Sequence, residues 1–153
     1  MDYFISSRWC RAIYNTNIKM NSDELLERAL HSRAAAYAPY SRFSVGAALE
    51  TTNGKVFTGC NVENLSFGLT ICAERNAVFA AVAAGERDFA RIVIVADSHE
   101  PVSPCGACRQ VLAEFSDKME VRCVNLEGKE FHARLDELLP RAKVGILDSP
   151  CST

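Results

Sequence analysis

Along residues 22–38 the apolar positions Leu25, Leu26, Ala29 and Leu30 recur at helical spacing, with polar residues between them. Asn21 with Glu24 supplies a capping pattern ahead of this run. Pro39 closes it, because the residue before a proline avoids the helical region. Two β-patterned stretches, 44–51 and 55–60, flank Asn53-Gly54, a pair that tolerates positive φ and so predicts a hairpin. Residues 72–84 read differently. Ala73, Ala77, Val78, Phe79, Ala80, Ala81 and Val82 spread apolar side chains over more than one helical face, which predicts a helix covered on most sides and stopped by Gly85. "RIVIVAD" (91–97) is a continuous β-branched run, hence a buried strand. A helix over 105–116, a strand over 120–126 and a short helix over 135–139 follow. Strands alternating with helices in this second half predict a parallel portion of sheet covered by helices.

At 153 residues the chain has the length of one domain with its own core, placed at 21–148 with a short tail at 149–153. Residues 1–20, "MDYFISSRWCRAIYNTNIKM", carry Arg8, Arg11 and Lys19 against the single acid Asp2. That balance reads either as a disordered extension or premature start, or as an organelle-targeting segment. The net charge of −2 carries no basic footprint for a nucleic-acid partner. No apolar run approaches the roughly 20 residues of a membrane span. The seven cysteines are odd in number and accompany no secretory signal, so reduced thiols in the cytoplasm are expected. Clustered cysteines in that setting point to metal or catalysis.

Two of the predicted helices open with cysteine. In "LTICAERNAVFA", Cys72 and Glu74 stand at the start of the small-residue helix, where a core helix needs neither. In "SPCGACRQVL", Ser103 can cap, Pro104 fits a first turn, and Cys105 and Cys108 fall one turn apart on one face. A helix N-terminus favours the thiolate, which is the metal-binding form. Cys72, Cys105 and Cys108 make three ligands with no equally placed fourth, the pattern of a catalytic zinc site. A closed structural zinc module for protein contacts would need that fourth ligand. His31, His99 and His132 are isolated and read as ordinary histidines, and Cys60 reads as a small buried hydrophobe.

The motifs "AYAPYSRFSVGAAL", "GCNVEN", "GLTICAERNAV" and "VSPCGACRQVLAEF" together resemble the small, homotetrameric, three-cysteine cytidine deaminases, over about residues 25–140. The resemblance implies a three-layer α/β/α fold with a five-stranded mixed sheet and one Zn²⁺ per subunit on Cys72, Cys105 and Cys108. It implies hydrolysis of cytidine, and of 2′-deoxycytidine, to the uracil nucleoside and ammonia in pyrimidine salvage. Glu74 is then the proton shuttle, and Arg75 hydrogen-bonds ligand sulfur. Asn61 and Glu63 serve the ribose 3′-OH, and Phe43 packs on the base. The backbone N–H groups of Ala73 and Glu74 face the pyrimidine O2, and the Ser103 carbonyl receives the exocyclic amine. Taken alone, Arg75 also reads as a solvated surface charge, Asn61 and Glu63 as a capped turn, and Phe43 as core. Two positions depart from the family. Phe67 stands where a tyrosine is common, in a loop that reaches a neighbouring subunit's site. In "LLPRAKVGIL", Lys143 stands where an aromatic is usual. A deaminase of another small amine-bearing ring, such as blasticidin S, is the rival enzyme.

Overall fold

The computed structural model describes residues 22–143. The expected extension 1–20, the tail 149–153 and the cap at Asn21 lie outside them. The elements run α1 (Ser22–Arg33), β1 (Val45–Thr51), β2 (Val56–Cys60), α2 (Ala73–Ala83), β3 (Phe89–Ala96), α3 (Gly106–Phe115), β4 (Glu120–Asn125), β5 (Glu130–Arg134) and α4 (Leu135–Leu138). A short 3₁₀ turn, Phe67–Leu69, precedes α2. The strands form one sheet in the order β2-β1-β3-β4-β5. Only β3 and β4 pair in parallel, with α3 as their crossover; the other pairings are antiparallel. The mixed five-stranded α/β/α architecture therefore stands as expected.

Alternation along the strands builds two cores. Ala47, Leu49, Ile92, Ile94, Val121 and Cys123 face α2, α3 and α4. Ala48, Val93, Val95 and Val124 face α1 through Leu25 and Ala29. Each face depends on a strand glycine that lets a helix backbone approach. A Cβ on Gly46 would lie 2.1 Å from Ala29 O, and one on Gly59 would lie 2.4 Å from both Ala73 O and Ala77 N. Gly59 thus seats the first turn of α2 directly on the end of β2. Fully burying a side chain such as Leu25, Leu49 or Ile92 contributes about 1.5–3 kcal/mol.

Four local expectations need correction. The first helix ends at Arg33 instead of reaching 38. Three single turns through Ala36 follow, and then Tyr37 N donates to Asn61 O at 3.0 Å. That long-range bond pulls the chain out of helical register before Pro39 does. The hairpin is a three-residue loop, 52–54, in which only Gly54 has positive φ (83°), with Gly54 N bonded to Thr51 O. It is a turn followed by a left-handed residue, not a two-residue turn with both residues left-handed. β5 has no counterpart among the strands read from the pattern. Its residues "EFHAR" are mostly exposed, so no apolar alternation marks it. Finally, α2 is less covered than its composition suggests, since Phe79 is 48% exposed. Gly85 does stop α2 as expected: it has φ 91°, and Glu86 N reaches Ala81 O in a Schellman pattern.

Candidate active site

The start of β1, the ends of β2 and β3, and the N-termini of α2 and α3 meet at one edge of the sheet. Val45 pairs with Ala96, and Gly46 with Cys60. Asn76 Nδ2 donates to Cys60 O at 2.8 Å, tying the first turn of α2 to the end of β2. Cys72 and Cys105 are the N-caps of α2 and α3, both with extended backbone and no capping hydrogen bond from the side chain. Ser103 and Pro104 lie ahead of α3, not within it as a cap and first turn. With both thiols released from capping, their sulfurs can serve something else.

The Sγ atoms of Cys72, Cys105 and Cys108 all lie within 4.8 Å of one another. Cys72 and Cys105 are 4.0 Å apart, and Cys105 and Cys108 are 3.5 Å apart. A tetrahedral ion with Zn–S bonds of about 2.3 Å sets its ligand sulfurs about 3.8 Å apart, so the cluster fits zinc in spacing and in donor chemistry. Among the described residues this is the group that could hold a metal ion. A hydrogen bond from Cys108 brings the Cys72 thiol down to about 5, with Arg75 acting the same way. Cys108, sharing that bond and buried, is pushed up.

Arg75 lies against this cluster. Its Nη2 donates to Thr70 O at 3.1 Å and reaches Cys72 Sγ at 3.7 Å. Its Nε is buried without a hydrogen-bond partner. An unpaired buried donor is costly, and a neighbouring thiolate cluster with net negative charge offsets that cost. Glu74 is 5% exposed, and burial raises its carboxyl above the usual range. Its own backbone N–H and the Cys108 thiol act the other way, more weakly than burial.

The remaining candidates sit on loops at the same edge. Asn61 is buried; its Oδ1 accepts from Val45 N at 2.8 Å and its Nδ2 donates to Phe43 O at 2.9 Å. Glu63 Oε2 accepts from Tyr40 N and Ser41 N at 2.9 and 3.2 Å, and its Oε1 accepts from Ser41 Oγ. Phe67 is 72% exposed and meets Tyr40 edge-on, with ring centroids 5.8 Å apart. Lys143 pairs with Asp117 at 3.3 Å. His31, His99 and His132 are on the surface.

Two residues were not foreseen. Arg109 clamps the turn before α3: Nε donates to Pro104 O at 2.7 Å, Nη2 to Ser103 Oγ at 3.0 Å and Nη1 to Leu138 O at 2.9 Å. Its place directly after Cys108 was the available signal. Ser41 was visible only as part of a motif.

The profile of the cytidine and deoxycytidylate deaminase zinc-binding region matches residues 19–124. A cytidine deaminase of Halalkalibacterium halodurans is 49% identical over 124 residues, covering 80% of this chain and 94% of that protein. The crystal structure of cytidine deaminase from Burkholderia pseudomallei superposes with a TM-score of 0.77 at 52% identity, covering 79% of this chain and 98% of that one. A blasticidin-S deaminase of Bacillus cereus is 30% identical over 132 residues, covering 81% of this chain and 93% of that protein.

Proposed function

The chain belongs to the cytidine and deoxycytidylate deaminase family, and on that premise we propose that it hydrolyses cytidine to uridine and ammonia. The observation that carries this reading is the three-thiol cluster beside the buried Glu74, whose carboxyl burial raises. Cys72, Cys105 and Cys108 hold the zinc. When bound, it supplies a water acidified to near neutrality as nucleophile. Three thiolates on Zn²⁺ leave a formal −1, which Arg75 offsets from beside Cys72. Glu74 carries protons. It would take one from the attacking water and deliver it to N3 of the ring, then pass the proton of the new C4 hydroxyl to the departing amine; burial, which favours its protonated form, helps it hold each proton in transit. The Ala73 and Glu74 N–H groups, at the first two positions of α2, lack intrahelical acceptors and are available to the pyrimidine O2. The Ser103 carbonyl receives the exocyclic amine on a turn clamped by Arg109. Phe43 lies against the base, and Asn61 and Glu63 meet the ribose 3′-OH. 2′-Deoxycytidine, which keeps that hydroxyl, is a substrate too.

The working unit is a homotetramer. Leu65, Phe67 and Leu69 are each more than 60% exposed in the segment leading into the metal site, and Phe79 is bare on α2. Such a patch suits a neighbouring subunit. Free thiols at every described cysteine suit the cytoplasm. No helix among the described residues is long and apolar enough to cross a membrane.

The test is ammonia release and uridine formation from cytidine by the purified full chain, with zinc measured in the same sample and blasticidin S run alongside. Zinc-loaded protein that leaves cytidine intact would refute the function. Faster turnover of blasticidin S would favour the rival ring.

A further inference from the structure

The turn that carries Phe43 is held at one end by the Asn61 amide on Phe43 O and along its length by one carboxylate and one hydroxyl. Arg42 N closes the turn on Ala38 O at 3.0 Å, and Arg42 itself has φ 60°, a left-handed conformation that a non-glycine residue adopts only when its surroundings demand it. Those surroundings are Glu63 and Ser41. Glu63 Oε2 takes both the Tyr40 and Ser41 N–H groups. Ser41 Oγ donates to Glu63 Oε1 and accepts from Phe43 N at 3.0 Å. A hydroxyl has one donor and two acceptor sites, so Ser41 joins the carboxylate to the aromatic residue in a single relay. Glu63 is held ionised by the same bonds, with Ser41 the leading cause. Its Oε1 keeps one lone pair beyond the Ser41 bond, and that lone pair is the one left for a ligand hydroxyl.

We infer that Ser41 is a positioning residue that orients the Glu63 carboxylate, and thereby sets the discrimination for a sugar 3′-hydroxyl. The inference rests on the proposed nucleoside reading and deepens it. Ser41 touches neither the zinc ligands nor Glu74, so its loss acts on binding and leaves the proton transfers in place. Tyr40, in the same turn, holds Phe67 by its ring edge, so the relay also sets the base of the loop leading to α2.

The test compares wild type, Ser41→Thr and Ser41→Val, the last two isosteric with each other, each as the full chain, on cytidine and on 3′-deoxycytidine. Ser41 is exposed, so all three are expected to fold, with melting temperatures as the check. Loss of one charge-assisted hydrogen bond predicts a KM for cytidine roughly tenfold higher in Ser41→Val, with kcat within about twofold of wild type. The preference for cytidine over 3′-deoxycytidine should shrink by a similar factor, and Ser41→Thr should restore both. An unchanged preference in Ser41→Val, or equal loss on the two substrates, overturns the assignment while cytidine deamination stands. Absence of turnover by the wild-type chain overturns the function and this assignment together.

Discussion

Glu74 and Glu63 stand at the same edge of the sheet, and their surroundings push them in opposite directions. Glu74 sits in the first turn of a buried helix, and burial raises its carboxyl. Glu63 lies on a loop among three local donors, and the Ser41 bond lowers its carboxyl. One is prepared to carry a proton and the other to accept hydrogen bonds as a fixed anion. The contrast extends to how each is built. Around Glu74 the parts come from two helix starts, each a few residues long. The three hydrogen bonds to the Glu63 carboxylate each span 22 or 23 residues of sequence. Each half of the chemical site is local in the chain, but the halves at Cys72 and Cys105 come together across 33 residues, so both sites are assembled by the fold.

The largest effect should come from removing the metal. Dialysis against a zinc chelator is expected to abolish ammonia release, and zinc readdition to restore it, while far-UV circular dichroism keeps its shape. None of the three ligand cysteines belongs to either core, so a collapse of secondary structure on chelation would place the metal in the fold instead of the chemistry. Next, Glu74→Gln should lower kcat by roughly 10²–10⁴-fold with zinc content unchanged. A rise in KM alone would erase the distinction between the two carboxylates. Arg75→Gln should cost roughly 10–100-fold in activity or zinc affinity, with a smaller loss in melting temperature. Equal activity in the two proteins would return Arg75 to the role of a helix-surface charge.

At the recognition end the effects are smaller and of another kind. Glu63→Gln should raise KM for cytidine roughly tenfold with little change in kcat, since a neutral amide is the weaker acceptor. The least change is expected from acid. A carboxylate whose pKa lies below 4.5 stays charged as pH falls through that value. KM should therefore hold to a lower pH than an ordinary glutamate would allow, while kcat falls first as the thiols take up protons and release zinc. A KM that climbs in step with the fall in kcat would show that the two ends titrate as one.

What the sequence alone determined were the features that depend on neighbours within a turn or two. The apolar periods placed β1, β3, β4 and most of α1, the glycine stop ended α2, and the cysteine spacing marked Cys72, Cys105 and Cys108, because helix and strand geometry translate short spacings directly into shared faces. Tertiary structure decided the rest. It ended α1 at Arg33 through a bond to Asn61 and recruited the exposed "EFHAR" as an edge strand by pairing it with β4. It tied Arg109 to the Leu138 carbonyl and bound Ser41 to Glu63. None of these has a periodic signature, since a hydrogen bond between residues far apart in the chain exists only once the sheet and the close approach at Gly59 have brought their strands and helices to one edge.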